Sequence, residues 1–155
     1  VPNENYYHVP PAAGVNASIE DMAKWLNAQL GHNPDVLSAQ LLEKIQTPQV
    51  NTPGELRSSG WRNERLTGAA YAMGWRVFDY KGHKLVFHGG AVRGYRSLIA
   101  FLPEQDTGLV VLWNSESAAP SAFLPAWFDL ALGIQGGDWL GLSDPTGNST
   151  ATDPD

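Results

Sequence analysis

The chain has 155 residues, 43% of them hydrophobic, with six tryptophans, no cysteine and a formal net charge of −6. That length suits one domain able to bury roughly 70% of its extended surface; the apolar content argues against wholesale disorder, and the lack of cysteine excludes disulfides and thiolate metal sites. The ten basic residues are scattered, whereas a nucleic-acid surface needs clustered Lys and Arg.

No apolar run reaches the length of a membrane span, and no charged-then-apolar leader opens the chain. Val1-Pro2-Asn3-Glu4-Asn5 reads as the middle of a protein rather than a natural start. Pro2, Pro10, Pro11 and Gly14 are expected to break regular structure over residues 1–17. Ser18-Ile19-Glu20-Asp21 then offers a polar cap and acids for a first helical turn. Ile19, Met22, Ala23, Leu26 and Leu30 repeat at helical spacing, which predicts an amphipathic helix over 18–30 ended by Gly31. Ser38 starts a shorter helix, with Leu41, Leu42 and Ile45 on one face and Thr47-Pro48 closing it.

Residues 49–68 are rich in Pro, Gly, Ser, Arg and Asn, and predict a long surface loop. It serves either as a functional wall or as a connection pinned by Trp61. Tyr71, Met73, Trp75 and Val77 alternate with smaller or polar neighbours at strand periodicity. A turn at Asp79-Tyr80-Lys81-Gly82 returns the chain through Leu85, Val86 and Phe87. Strands over Tyr95–Leu102 and Leu109–Trp113 follow, their short connections favouring antiparallel neighbours. A last helix, about Pro120 to Leu132, carries an apolar stripe of Phe123, Leu124, Trp127, Phe128 and Ala131. Trp25, Trp113 and Trp127 are assigned to the core.

The sum is an α+β fold: an antiparallel sheet of about four strands, helices before it, and a C-terminal helix to cover a sheet face. One domain over 1–145 and a disordered polar tail over 146–155 are expected.

Chemistry is expected at a polar, glycine-rich bend, His88-Gly89-Gly90-Ala91-Val92-Arg93-Gly94, at the end of a strand. Glycines there let a ligand approach the backbone and leave the next amides pointing outward. An imidazole at that place either relays a proton for a group held against the strand or is simply solvated on a hairpin. An α/β-hydrolase oxyanion loop is excluded, because no G-x-S-x-G elbow follows. His8, His32, His83 and His88 do not make a metal site: His83 and His88 fall on opposite strand faces and no carboxylate cluster joins them. No metal and no cofactor are expected. Arg93 and Arg96, beside Tyr95, are either receptors for a substrate carboxylate or ordinary solvated arginines.

Several stretches together carry a family resemblance. Pro11-Ala12-Ala13-Gly14-Val15-Asn16-Ala17-Ser18 with Asp21-Met22-Ala23-Lys24-Trp25-Leu26 resembles the P-A-G-G-x-x-S-S…D-M-A-x-W segment of the serine β-lactamase-related enzymes. These are class C β-lactamases, D-Ala-D-Ala peptidases and related esterases. Tyr71-Ala72-Met73-Gly74-Trp75, His88-Gly89-Gly90 with Gly94-Tyr95, and Phe101-Leu102-Pro103-Glu104 through Leu112-Trp113-Asn114 continue it in the family's order, over residues 7–133.

The resemblance implies hydrolysis of amide or ester bonds through a serine acyl-enzyme. His88-Gly89-Gly90 matches the His-x-Gly form of the family's third motif. By that match His88, Gly90 and Ala91 are catalytic, with the Ala91 N–H one of two oxyanion donors, while Gly89, Arg93 and Tyr95 contact substrate. Ser-x-x-Lys and Tyr-x-Asn, the first two motifs, do not occur in this sequence. The chain therefore resembles the C-terminal part of such an enzyme, with a missing N-terminal segment as its partner, a small-molecule or peptide substrate, and an open sheet edge that a homodimer would close. A bacterial, periplasmic or secreted protein is implied, without excluding the cytoplasm. The carboxylate-binding Asn and Arg of class C lactamases are replaced by small residues around Ala119 and Ala122, which moves weight toward peptidase or esterase. The competing reading is a non-catalytic binding or assembly module that kept the fold.

Overall fold

The structure, a computed structural model, describes residues 8–142. The expected tail over 146–155 lies outside the described residues. The chain forms two compact units, one ending at Ser117 and the other beginning at Ala118.

The first unit opens with a short helix α1 (Pro10–Ala13), where the prolines were expected only to break structure. Proline has no N–H to lose in a first turn, and its fixed φ suits that place. Helix α2 (Ile19–Gln29) is capped as its sequence requires. The Ser18 hydroxyl accepts from the Asp21 N–H at 3.2 Å, and the Asp21 carboxylate reaches back to the Ser18 N–H at 3.3 Å. At its other end Gly31 takes φ +93°, the Gly31 N–H donates to the Ala28 carbonyl and the His32 N–H to the Asn27 carbonyl. These two bonds satisfy carbonyls that the helix end would otherwise orphan. Helix α3 (Ala39–Gln46) starts at Ser38, whose hydroxyl accepts from the Leu41 N–H.

Residues 49–68 are not a loop. They hold strand β1 (Val50–Asn51), a 3-10 turn over Pro53–Arg57 and helix α4 (Gly60–Arg65), and they lead into strand β2 (Leu66–Tyr71). The segment is ordered by one carboxylate: Glu55 pairs with both Arg62 and Arg76, three residues too far apart in sequence to be read as a cluster. The Arg62 guanidinium also lies over Trp61, Phe78 and Phe87, at 5.3 to 5.5 Å from each ring centroid.

The sheet has six strands rather than about four, in the order β1-β2-β3-β4-β5-β6. Beyond β2 these are β3 (Arg76–Tyr80), β4 (His83–Val92), β5 (Tyr95–Leu102) and β6 (Thr107–Trp113), each antiparallel to the next. The alternation from Tyr71 to Val77 is not one strand. A tight turn interrupts it, closed by the Ala72 N–H on the Trp75 carbonyl at 2.7 Å, with Gly74 at φ +81°. The β3–β4 hairpin turns on Lys81 and Gly82, both with positive φ, as the right-handed twist of a two-residue connection demands.

Both sheet faces are buried. On one, Ala72, Trp75, Val77, Val86, Ile99 and Phe101 pack with Met22 and Leu26 of α2 and with Leu30, which caps it. Trp75 meets Phe101 edge-on with centroids 5.3 Å apart. On the other, Phe78, Tyr80, Leu85 and Phe87 are buried, and Trp61 sits against Tyr80. Trp25 does not join the core: it is exposed, as is Trp127.

The second unit contains a 3-10 turn over Ala119–Ala122 and helix α5 (Phe123–Ala131). Pro125 falls in the first turn, where no intrahelical bond is lost. Leu124 and Phe128 are buried, and the buried Asp129 accepts from the Trp139 indole N–H at 2.7 Å.

Candidate active site

The bend expected after His88 is strand. β4 runs unbroken through His88, Gly89, Gly90, Ala91 and Val92, each in register with β5 from Ile99 to Tyr95. The turn itself is Arg93-Gly94, with Gly94 at φ +79°. On its other side β4 pairs with β3 only as far as Phe87, opposite Arg76. From His88 onward, therefore, that edge of β4 has no strand beside it among the described residues. Alternate peptide groups of an antiparallel strand point to opposite sides, so this stretch directs backbone donors and acceptors away from the ladder.

A cleft of about 780 Å³ opens along this stretch. Gly90, Ala91, Val92, Tyr95, Arg96 and Ser97 form one side, and Leu112, Trp113 and Asn114 at the end of β6 form another. Pro11, Ala12, Val15, Asn16 and Ala17 close it from the N-terminal segment. Two sequence blocks some 75 residues apart, 11–17 and 90–97, thus face one space. The Trp113 indole N–H donates to the Ser117 carbonyl at 3.0 Å, which fixes the ring in that wall.

Gly90 lies opposite Ser97, and a Cβ added to it would stand 2.2 Å from the Ser97 hydroxyl oxygen. The absence of a side chain is what lets these strands present bare backbone at the cleft.

His88 keeps solvent contact but is not among the residues lining the cleft. Its Nε2 lies 3.3 Å from the Tyr71 hydroxyl, and the two rings meet edge-on at 6.5 Å. The hydroxyl can donate to a neutral ring or accept from Nε2–H. Crowding by protein, and then the positive charge of Arg76, hold the imidazole below the usual histidine range; the Gly89 backbone opposes them. The neutral ring is therefore favoured near neutrality. Glu55 shares that environment through Arg76. Burial pushes the Glu55 carboxyl up, but its bonds and charge contacts with Arg76 and Arg62 outweigh this and hold it below its ordinary value.

Of the residues expected to contact substrate, Tyr95 lines the cleft, whereas Gly89 and Arg93 do not. Arg93 is exposed at the hairpin turn. Arg96 lines the cleft but is engaged: it pairs with Glu116, and its Nη1 donates to the Val92 and Tyr95 carbonyls at 2.8 and 3.0 Å. Sequence reading missed Tyr71, Arg76 and Glu116. Tyr71 belongs to a visible block, yet nothing in its spacing announces contact with a histidine 17 residues on.

Comparison with known proteins identifies the family and the fold. The model of the Beta-lactamase family matches residues 1–133. The unguisins hydrolase of Aspergillus campestris is 31% identical over 115 residues, covering 74% of this chain and 20% of that protein. Protein flp of Staphylococcus aureus is 33% identical over 107 residues, covering 69% of this chain and 19% of its own length. The octameric penicillin-binding protein homologue from Pyrococcus abyssi superposes with a TM-score of 0.65 at 29% identity, over 77% of this chain and 25% of that one. The chain thus spans about a fifth of the curated relatives it matches. With its antiparallel sheet, its His-Gly-Gly strand and the cleft beside it, the chain belongs to the β-lactamase family and has a β-lactamase-like hydrolase fold.

Proposed function

We propose that this chain supplies one wall of the acyl-transfer site of a serine hydrolase acting on amide or ester bonds. The observation that carries the reading is the course of β4, which continues past the end of β3 and offers His88 to Ala91 as a bare strand edge. A substrate carbonyl held against that edge would meet the Ala91 N–H as one oxyanion donor. Such a donor is worth about 3 kcal/mol in the transition state, because it is already oriented where negative charge develops. His88, favoured neutral and steadied by the Tyr71 hydroxyl, would orient the substrate or relay a proton to the leaving group. The nucleophile and its base would come from a Ser-x-x-Lys and a Tyr-x-Asn, neither of which occurs in this sequence.

The test joins an upstream portion bearing both motifs to this chain and follows reaction with penicillin by intact mass. Acylation forms a bond from the serine oxygen to the lactam carbonyl carbon, breaks the C–N bond and delivers a proton to nitrogen, so the adduct retains the whole penicillin mass. A serine-dependent adduct that forms much more slowly in His88→Ala supports the reading. A folded protein giving no adduct with penicillin and no burst with a p-nitrophenyl ester would refute it and favour a binding module. The chain by itself should give neither.

A further inference from the structure

Arg96 is the single charged side chain among the described residues that line the cleft. The rest of the lining is uncharged, with apolar walls of Val15, Val92, Leu112 and Trp113 and neutral polar groups on Asn16, Tyr95, Ser97 and Asn114. Left to itself, an arginine in such a place is a receptor for a carboxylate. Here its Nη1 is spent on the Val92 and Tyr95 carbonyls, and its Nη2 engages the Glu116 carboxylate. The other oxygen of Glu116 accepts the Gly94 N–H at 2.6 Å. Glu116 thus ties the tip of the β4–β5 hairpin to the segment after β6 and cancels the cleft's one charge.

We propose that Glu116 is a specificity-determining residue: by neutralising Arg96 it tunes the cleft for uncharged, largely apolar acyl or leaving groups and against substrates bearing a carboxylate at that position. The proposal rests on the cleft being the substrate side of the site, and it deepens that reading by naming a substrate class. It predicts a neutral ester or amide ahead of any acid of the same shape.

The test is equilibrium binding of a matched pair, phenylacetamide and phenylacetate, to this chain, read from the amide resonances of Gly90 and Ala91. Wild type should bind the amide at least as tightly as the acid. In Glu116→Gln, which can still accept the Gly94 N–H, the ratio should swing toward phenylacetate by about five-fold, the scale of one partly exposed charge pair. Arg96→Gln leaves Glu116 uncompensated and should swing it the other way. The double variant should restore the wild-type ratio, and this holds the proposal to account even if Glu116→Gln loosens the hairpin. A wild-type preference for phenylacetate, a ratio indifferent to all three variants, or no shift at the cleft with either ligand would overturn it. Because the readout is binding and not acylation, failure here leaves the acyl-enzyme experiment to stand or fall separately.

Discussion

Two glycines in neighbouring parts of the sheet should respond unequally to the same added methyl group. At Gly108, in β6, a Cβ would stand 2.7 Å from the Ala100 carbonyl oxygen, 2.8 Å from the Phe101 Cβ and 2.9 Å from the Leu26 Cδ1. Two of these atoms belong to or sit directly on the backbone of β5, so relief requires strands to separate. Overpacking of this kind costs about 1–3 kcal/mol. Alanine recovers about 0.5–1 kcal/mol by restricting the unfolded chain. The net expectation for Gly108→Ala is a loss of about 1–2 kcal/mol, read as a urea midpoint about 0.5–1 M lower at a slope near 2 kcal/mol per M. At Gly90 the close neighbour is only the Ser97 hydroxyl at 2.2 Å, with the Ser97 Cβ at a comfortable 3.6 Å. A rotamer change moves that oxygen for about 1 kcal/mol, offset by the same unfolded-state gain. Gly90→Ala should therefore stay within about 0.5 kcal/mol of wild type, and in a Ser97→Ala background, where no hydroxyl has to move, it should raise stability by about 0.5–1 kcal/mol relative to Ser97→Ala. Urea denaturation of wild type, the two glycine variants, Ser97→Ala and the Gly90→Ala/Ser97→Ala double variant decides it. Equal losses at both glycines would show that the backbone clash is not what sets the cost.

The His88 imidazole should titrate with a midpoint below the ordinary value of about 6.5. NMR of its ring protons should also show that midpoint rising in Arg76→Gln, since a repelling charge is removed. As the folded value lies below the unfolded one, this group's contribution to stability is complete above about pH 6.5 and fades as pH falls through the folded midpoint; the opposite slope would reverse the assignment. Lys81, at φ +54° ahead of Gly82, pays for a left-handed conformation that asparagine tolerates better. Lys81→Asn should raise stability by about 0.5–1 kcal/mol, detected as a higher thermal midpoint; a fall would mean that the Lys81 side chain holds a contact of its own.

Local rules reached far into this fold. Helices α2 and α3 begin at the serines their sequences nominate, and Gly31 ends α2, because caps and glycine conformations are settled within a few residues. Strand β5 occupies the span expected for it, Tyr95–Leu102, and the family blocks located the strand that borders the cleft. Local rules failed where order comes from a distance. Residues 49–68 read as a loop since neither a strand of two residues nor an arginine pair has a periodic signature, and Glu55 organises them only once Arg76 is brought beside it. The glycines after His88 suggested a bend, yet pairing with β5 draws them straight, because each ladder bond outweighs a residue's indifference to strand geometry.

The sequence by itself therefore determined the family, the sheet-and-helix class and the His-Gly-Gly strand, all of which rest on residue identity and short-range periodicity. Only the tertiary structure decided that β3 pairs with β4 no further than Phe87 and bares the β4 edge beyond it, that Tyr71 meets His88, and that Glu116 pairs with Arg96. Each is a matter of register between strands or of charges meeting across them, and those distances exist only once the chain has folded.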